Sequence, residues 1–218
     1  MMTTSENKHI AVLFDLDGVL VDSEGIYTEF WADIDRRYPT GIEDFAHVIK
    51  GNTLARILGT YFPDETVRDA ILIELKRQEE DMVYRLFPGI SDLIETLNHE
   101  SIPTAIVTSS NAAKMRHLFN AVPLLRDNIN IVITEEDVTN SKPDPEGYLK
   151  AAERLGVEPS RTVVFEDSLA GLEAGRRAGA VVVGVATTNP RKALENLADV
   201  IVDLASEMTV DRIRELFE

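Results

Sequence analysis

FDLDGVLVDS, Phe14 to Ser23, is the stretch that decides how this 218-residue chain folds. It continues the apolar run of residues 10–14, a pattern that suits a strand buried on both faces of a parallel sheet. Asp15 and Asp17 therefore arrive at the carboxyl end of a strand, where open α/β sheets place their ligands. Gly18 follows at once and allows the backbone to turn sharply. Two carboxylates this close repel each other, and both ionise comfortably only beside a cation. Such a pair serves equally well as a strand-end turn former with helix caps or as one corner of a metal site. The ten residues alone do not choose between these roles.

Outward from this stretch, five further short apolar runs follow, at residues 104–107, 129–133, 162–165, 181–185 and 200–202. Helical patterns separate them. Met115, Leu118, Phe119 and Val122 repeat at i, i+3, i+4, i+7. In PDPEGYLKAAERLG, Asp144 can cap, Pro145 suits the first helical position, Gly156 can end the helix, and Tyr148, Ala152 and Leu155 make its inner face. Alternating strands and helices predict an α/β fold, a doubly wound parallel sheet of Rossmann-like design. Residues 23–88 break the rhythm. Ile26, Phe30, Ile34 and Tyr38 share one helical face, and Val67, Ile71, Leu75 and Met82 mark a second, longer helix. The expected organisation is a core of residues 1–22 and 89–218 with a helical insertion at 23–88, Pro88-Gly89 acting as a hinge on the return.

Polar residues close the other predicted strands. Thr108 opens the loop Ser109-Ser110-Asn111, whose hydroxyls and amides ahead of a helix suit a phosphate oxygen or, equally, an ordinary helix cap. Lys142, held extended by Pro143, can neutralise phosphate and carboxylate charge, or simply be a loop lysine. Glu166-Asp167 are oxygen ligands of the kind Mg²⁺ takes, although adjacent acids also favour a helix start. In the helix that follows, Ala170, Gly171, Ala174, Gly175 and Ala178 form a small-residue face that permits close approach to the sheet. Each signal is weak by itself. Parallel strands bring all four ends to one edge, and the set then reads as a site for phosphoryl transfer.

Composition narrows the alternatives. The chain is 44% hydrophobic with a net charge of −16 and a pI near 4.6. A basic surface for nucleic acid is therefore absent, and an anionic substrate needs a metal or local cations. With no cysteine, thiol nucleophiles and Cys-based zinc sites are excluded. The polar start, MMTTSENKHI, does not read as a signal peptide, and no apolar stretch approaches the roughly 20 residues of a membrane span. A cytoplasmic protein without nucleic-acid or membrane partners, monomeric or weakly dimeric, is expected. The sequence contains no GxxxxGK[ST], GxSxG, HExxH or GxGxxG, and its histidines (9, 47, 99 and 117) are scattered.

Taken in order, Asp15-Leu16-Asp17-Gly18-Val19, Thr108, Lys142-Pro143 and Glu166-Asp167 resemble the four motifs of the haloacid dehalogenase-like (HAD-like) superfamily. The insertion resembles the helical cap domain of the subfamily that contains β-phosphoglucomutase and phosphoglycolate phosphatase. The resemblance implies a hydrolase, specifically a phosphatase, acting on a small phosphorylated metabolite with magnesium as cofactor. It implies that Asp15 forms an aspartyl phosphate and that Asp17 is the acid/base, with Thr108 and Lys142 holding the phosphoryl group. The metal-binding set would be Asp15, Asp17 through its main-chain carbonyl, Glu166 and Asp167. Ser109, Asn111, Lys50 and Asn52 are the expected substrate contacts, with Arg56 a further polar residue of the cap. Tyr27 stands where β-phosphoglucomutases carry His, and their Arg and Lys fall near Leu54 and Gln78, which favours a sugar or polyol phosphatase over a hexose phosphate mutase.

Overall fold

The computed structural model describes residues 10–80 and 82–218, so the polar start and His9 lie outside the described residues. The chain runs β1 (Ala11–Phe14), α1 (Glu24–Arg37), α2 (Phe45–Val48), α3 (Leu54–Tyr61), α4 (Glu65–Glu80) and α5 (Ile90–His99). It continues with β2 (Thr104–Val107), α6 (Ala112–Ala121), α7 (Pro123–Asn128), β3 (Ile131–Ile133) and α8 (Glu146–Leu155). The last elements are β4 (Thr162–Glu166), α9 (Leu169–Ala178), β5 (Val181–Val185), α10 (Arg191–Leu194), β6 (Val200–Val202) and α11 (Val210–Glu215). All six strands pair in parallel in the order β3-β2-β1-β4-β5-β6. The chain leaves β1 towards one side of the sheet and returns to β4 on the other. Its switch point therefore lies between β1 and β4.

Burial follows the two-residue period of the strands. Val12, Phe14, Ile106, Val163 and Phe165 enter one core cluster, while Leu13, Ala105, Val107 and Val164 enter the cluster on the opposite face. Helices cover both faces, so these runs are apolar throughout instead of alternating. Register then fixes the site. Phe14 lies opposite Ile106 on β2 and Phe165 on β4, so the next residues of all three strands emerge at one edge.

The insertion builds a core of its own from Trp31, Ile34, Phe45, Ile57, Phe62 and Ile71. Trp31 and Phe62 stack with centroids 6.4 Å apart, and Phe45 meets both edge-on. An isolated antiparallel bridge between Val21 and Leu86 draws its entry and exit together. Gly89, at a positive φ of 77°, opens α5, and Ser206 Oγ donates to the Pro88 carbonyl at 2.7 Å. The chain is thus pinned to the core where a hinge is expected.

Several expected helix details are corrected. Helix α4 ends before Met82, and Tyr38 is the cap of α1 instead of a member of its face. Pro145 sits outside α8 as its N-cap, while Asp144 Oδ1 accepts from the Glu146 amide at 3.0 Å. The short α2 and α3 escape periodicity analysis because four- and eight-residue helices span too few turns to define a face. Among the described residues, no helix is long and apolar enough to cross a membrane.

Candidate active site

Asp15 leaves β1 with its amide donating to the Phe165 carbonyl at 2.9 Å, which extends the parallel ladder by one residue. Its carboxylate is buried and accepts from Lys142 Nζ. Lys142 also donates to the Val107 carbonyl at 3.1 Å and to Glu166 Oε1, so one ammonium ties together the ends of β1, β2 and β4. Glu166 is fully enclosed. Its Oε1 also accepts from Tyr148 Oη at 3.0 Å, and its Oε2 takes the amides of Asp167 and Ser168 and the Ser168 hydroxyl at 3.0–3.1 Å. These bonds orient the glutamate towards Lys142.

The electrostatics of this cluster are compatible with a bound cation. Burial, opposed by Lys142 and reinforced by Glu166, pushes the Asp15 carboxyl up to about 8. Burial alone would lower Lys142, but its two carboxylate partners hold its ammonium above the ordinary lysine range. Asp15, Glu166 and Asp167 are all buried, and each can offer a carboxylate oxygen within 4.8 Å of the others. Three acids against one ammonium leave excess negative charge that a small, hard divalent ion offsets, and all-oxygen donors fit Mg²⁺. The side chain of Asp17 is not in this group.

Asp17 instead turns its carboxylate towards a ring of donors. Ser23 Oγ donates to Oδ1, while Ser110 Oγ and Lys114 Nζ donate to Oδ2 at 3.1 and 2.6 Å. Lys114, in the first turn of α6, was not singled out from the sequence. Its sequence signal is a lysine at i−4 from Leu118, in line with the apolar face that the structure buries. Its ammonium lies 4.4 Å from the centre of the Tyr27 ring, and Tyr27 Oη donates to Glu79 Oε1 at 3.1 Å. A chain of contacts thereby runs from Asp17 across α6 to α1 and α4.

Of these side chains, Asp15, Asp17, Asp167, Tyr27, Glu79, Ser110 and Lys114 line one cleft, open to solvent, between the sheet edge and the insertion. Thr108 is buried there, and its Oγ1 accepts from the Ser110 amide at 3.0 Å. Of the expected substrate contacts, Lys50, Asn52, Ser109 and Asn111 all reach the cleft. Three of them also have structural work. Asn111 Oδ1 caps α6 through the Lys114 amide, Asn52 Nδ2 donates to the Ile49 carbonyl, and Ser109 Oγ bonds the Gly51 carbonyl at 3.0 Å. Arg56 sits outside the cleft and donates to the Lys142 carbonyl at 3.2 Å. None of His47, His99 and His117 lines the cleft.

Two glycines make the closeness of the site feasible. Gly18, at φ 86°, lies so near Asp167 that a Cβ there would fall 2.0 Å from Oδ2. Gly171, on the small-residue face of α9, lies under Glu166, where a Cβ would come within 1.7 Å of Oε1. Ser168 caps the same helix through the Gly171 amide at 3.0 Å.

Residues 12–185 match the family model of haloacid dehalogenase-like hydrolases. The chain is 32% identical over 207 residues to hexitol phosphatase A of Escherichia coli, covering 92% of this chain and 93% of that one. It is 28% identical over 223 residues to a β-phosphoglucomutase of Bacillus subtilis, with 95% of each covered. Among solved structures, a family IA HAD hydrolase from Entamoeba histolytica superposes with a TM-score of 0.80 at 26% identity, over 95% of this chain and 98% of that one.

Proposed function

The chain belongs to the haloacid dehalogenase-like hydrolase family, and we propose that it is a cytoplasmic, Mg²⁺-dependent phosphatase of small sugar or polyol monophosphates. The observation that carries this reading is the buried Asp15 carboxylate, held by Lys142 at the sheet edge with Glu166 and Asp167 beside it. Residues 1–22 and 89–218 form the catalytic core in this reading, and 23–88 the cap that covers the substrate.

Asp15 is the nucleophile. One carboxylate oxygen bonds to phosphorus as the bond to the leaving alcohol breaks, and Asp17 passes a proton to that alcohol. A water then attacks the aspartyl phosphate, Asp17 takes its proton, and inorganic phosphate departs with Asp15 restored. Thr108 and Lys142 hold the phosphoryl oxygens, and Glu166 orients Lys142. Asp15, the main-chain carbonyl of Asp17 and Asp167 would hold the ion, which when bound supplies positive charge against the phosphate and the acids.

The mutase alternative needs the cap to hold a second phosphate. Tyr27, whose hydroxyl is engaged with Glu79, offers no cation for it. Asp15→Asn is expected to abolish Mg²⁺-dependent phosphate release while far-UV circular dichroism stays unchanged; full activity in that variant would refute the mechanism. With β-glucose 1-phosphate as substrate, free glucose is the expected product, and glucose 6-phosphate would identify a mutase.

A further inference from the structure

In the cleft Lys114 donates to Asp17, its ammonium lies over the Tyr27 ring, and Tyr27 leads on to Glu79; the chemistry above assigns no role to these three side chains. We propose that Lys114 and Glu79, joined through Tyr27, form the subsite that reads hydroxyl groups on the leaving alcohol, and so select polyhydroxylated monophosphates. The inference rests on the proposed phosphatase reading, because it takes Asp17 as the group that meets the leaving oxygen. Whatever packs against Asp17 then faces the body of the alcohol.

Three features support it. First, the subsite offers both hydrogen-bonding senses side by side. The Lys114 ammonium only donates and the Glu79 carboxylate accepts, and a polyol hydroxyl does both. Second, Lys114 is buried and Glu79 is half-buried. The Lys114 side chain is 2% exposed, and burial raises the Glu79 carboxyl in spite of Lys114 and Tyr27. A carboxylate with incomplete hydration gains most from donors that a substrate brings. Among the described residues, Tyr27 is the hydrogen-bond partner of Glu79, which leaves acceptor capacity on the second oxygen. Third, Trp31, Ile57 and Leu75 supply apolar wall to the same cleft, against which the carbon face of a sugar or polyol packs.

A purely structural account is available for the same contacts, since they also link α6 to α1 and α4. The two accounts differ in what they predict for substrates that share a leaving group but not its hydroxyls. The test compares a hexitol 6-phosphate with n-hexyl phosphate, two alkyl monoesters of equal carbon count, on the full chain with Mg²⁺. The wild type is expected to favour the hexitol ester in kcat/KM. Glu79→Gln is expected to reduce that preference at least tenfold, mainly through KM for the hexitol ester, whereas Lys114→Met, which also strips a donor from Asp17, is expected to reduce it while lowering kcat for both esters. Glu79→Gln does not touch Asp17 and keeps the shape of the side chain, so it carries the test if the lysine variant folds poorly. A preference absent from the wild type, or unchanged in Glu79→Gln while both rates fall in parallel, would overturn the subsite. Failure of the wild type to release phosphate from either ester would overturn the phosphatase reading itself.

Discussion

Gly171 lacks a side chain for a reason located on another element: the carboxylate of Glu166 fills the space a Cβ would take. Glu166 in turn holds Lys142, which holds Asp15. Gly171→Ala is therefore expected to act at a distance on Asp15. Overpacking of this kind costs about 1–3 kcal/mol, and misplacement of the anchoring carboxylate is expected to lower kcat by about 100-fold. Denaturant unfolding and phosphate release read the two effects separately. Wild-type turnover in the alanine variant would show that Glu166 does not position Lys142. At this scale the acids Asp15, Asp17, Glu166 and Asp167 are legible from sequence, because each sits in a short polar cluster directly after an apolar run. Lys114 and Glu79 are only half legible: each continues an apolar helical face, at i−4 from Leu118 and i+4 from Leu75, but what a charged residue on that face meets depends on helices distant in sequence.

At the scale of the element, α8 shows how a helix start is fixed from outside the helix. Glu146 accepts from the amides of Thr139 and Asn140 at 2.9–3.1 Å and from Lys150 Nζ at 2.6 Å. The Lys150 bond, then the two amides, hold its carboxyl down at about 2 against an ordinary 4.5. A group whose pKa is depressed by folding stabilises the native state above its unfolded value, and that contribution is lost as pH falls through the folded one. The gap in stability between wild type and Glu146→Gln is therefore expected to be full at neutral pH. It should shrink from about pH 4.5 to about 2 and vanish below that. Chemical denaturation across this range measures it, and a gap independent of pH would refute the assignment. The body of α8 is legible from its apolar spacing. Its first residue is not, since Pro145 fits the N-cap and the first helical position alike, and the bonds from the 139–140 loop decide.

At the scale of the whole molecule, a net charge of −16 surrounds a site that itself holds three buried carboxylates. An ion that binds only the native arrangement stabilises it by mass action. At about 100 times its Kd, Mg²⁺ is expected to add about 2.7 kcal/mol, a rise in Tm of roughly 5–10 °C for a chain of this size. Calorimetric scans with Mg²⁺ and with a chelator measure the shift. The same scans on Asp167→Asn should lose most of it, and an equal shift in that variant would place the ion elsewhere.

The α/β class, the six strands and the order in which an acid pair, a threonine, a lysine and a second acid pair follow four of them were legible before any folding. These are local facts: an apolar run followed by a polar loop states its identity within ten residues. Which partners each carboxylate meets is visible only in the folded molecule. Parallel register brings Asp15, Glu166 and Lys142 into contact, whereas Asp17, two residues from Asp15, turns away to Ser23, Ser110 and Lys114. Direction at a strand end is set by partners 6 to 97 residues away, and those partners meet only once the sheet and the insertion have closed around the cleft.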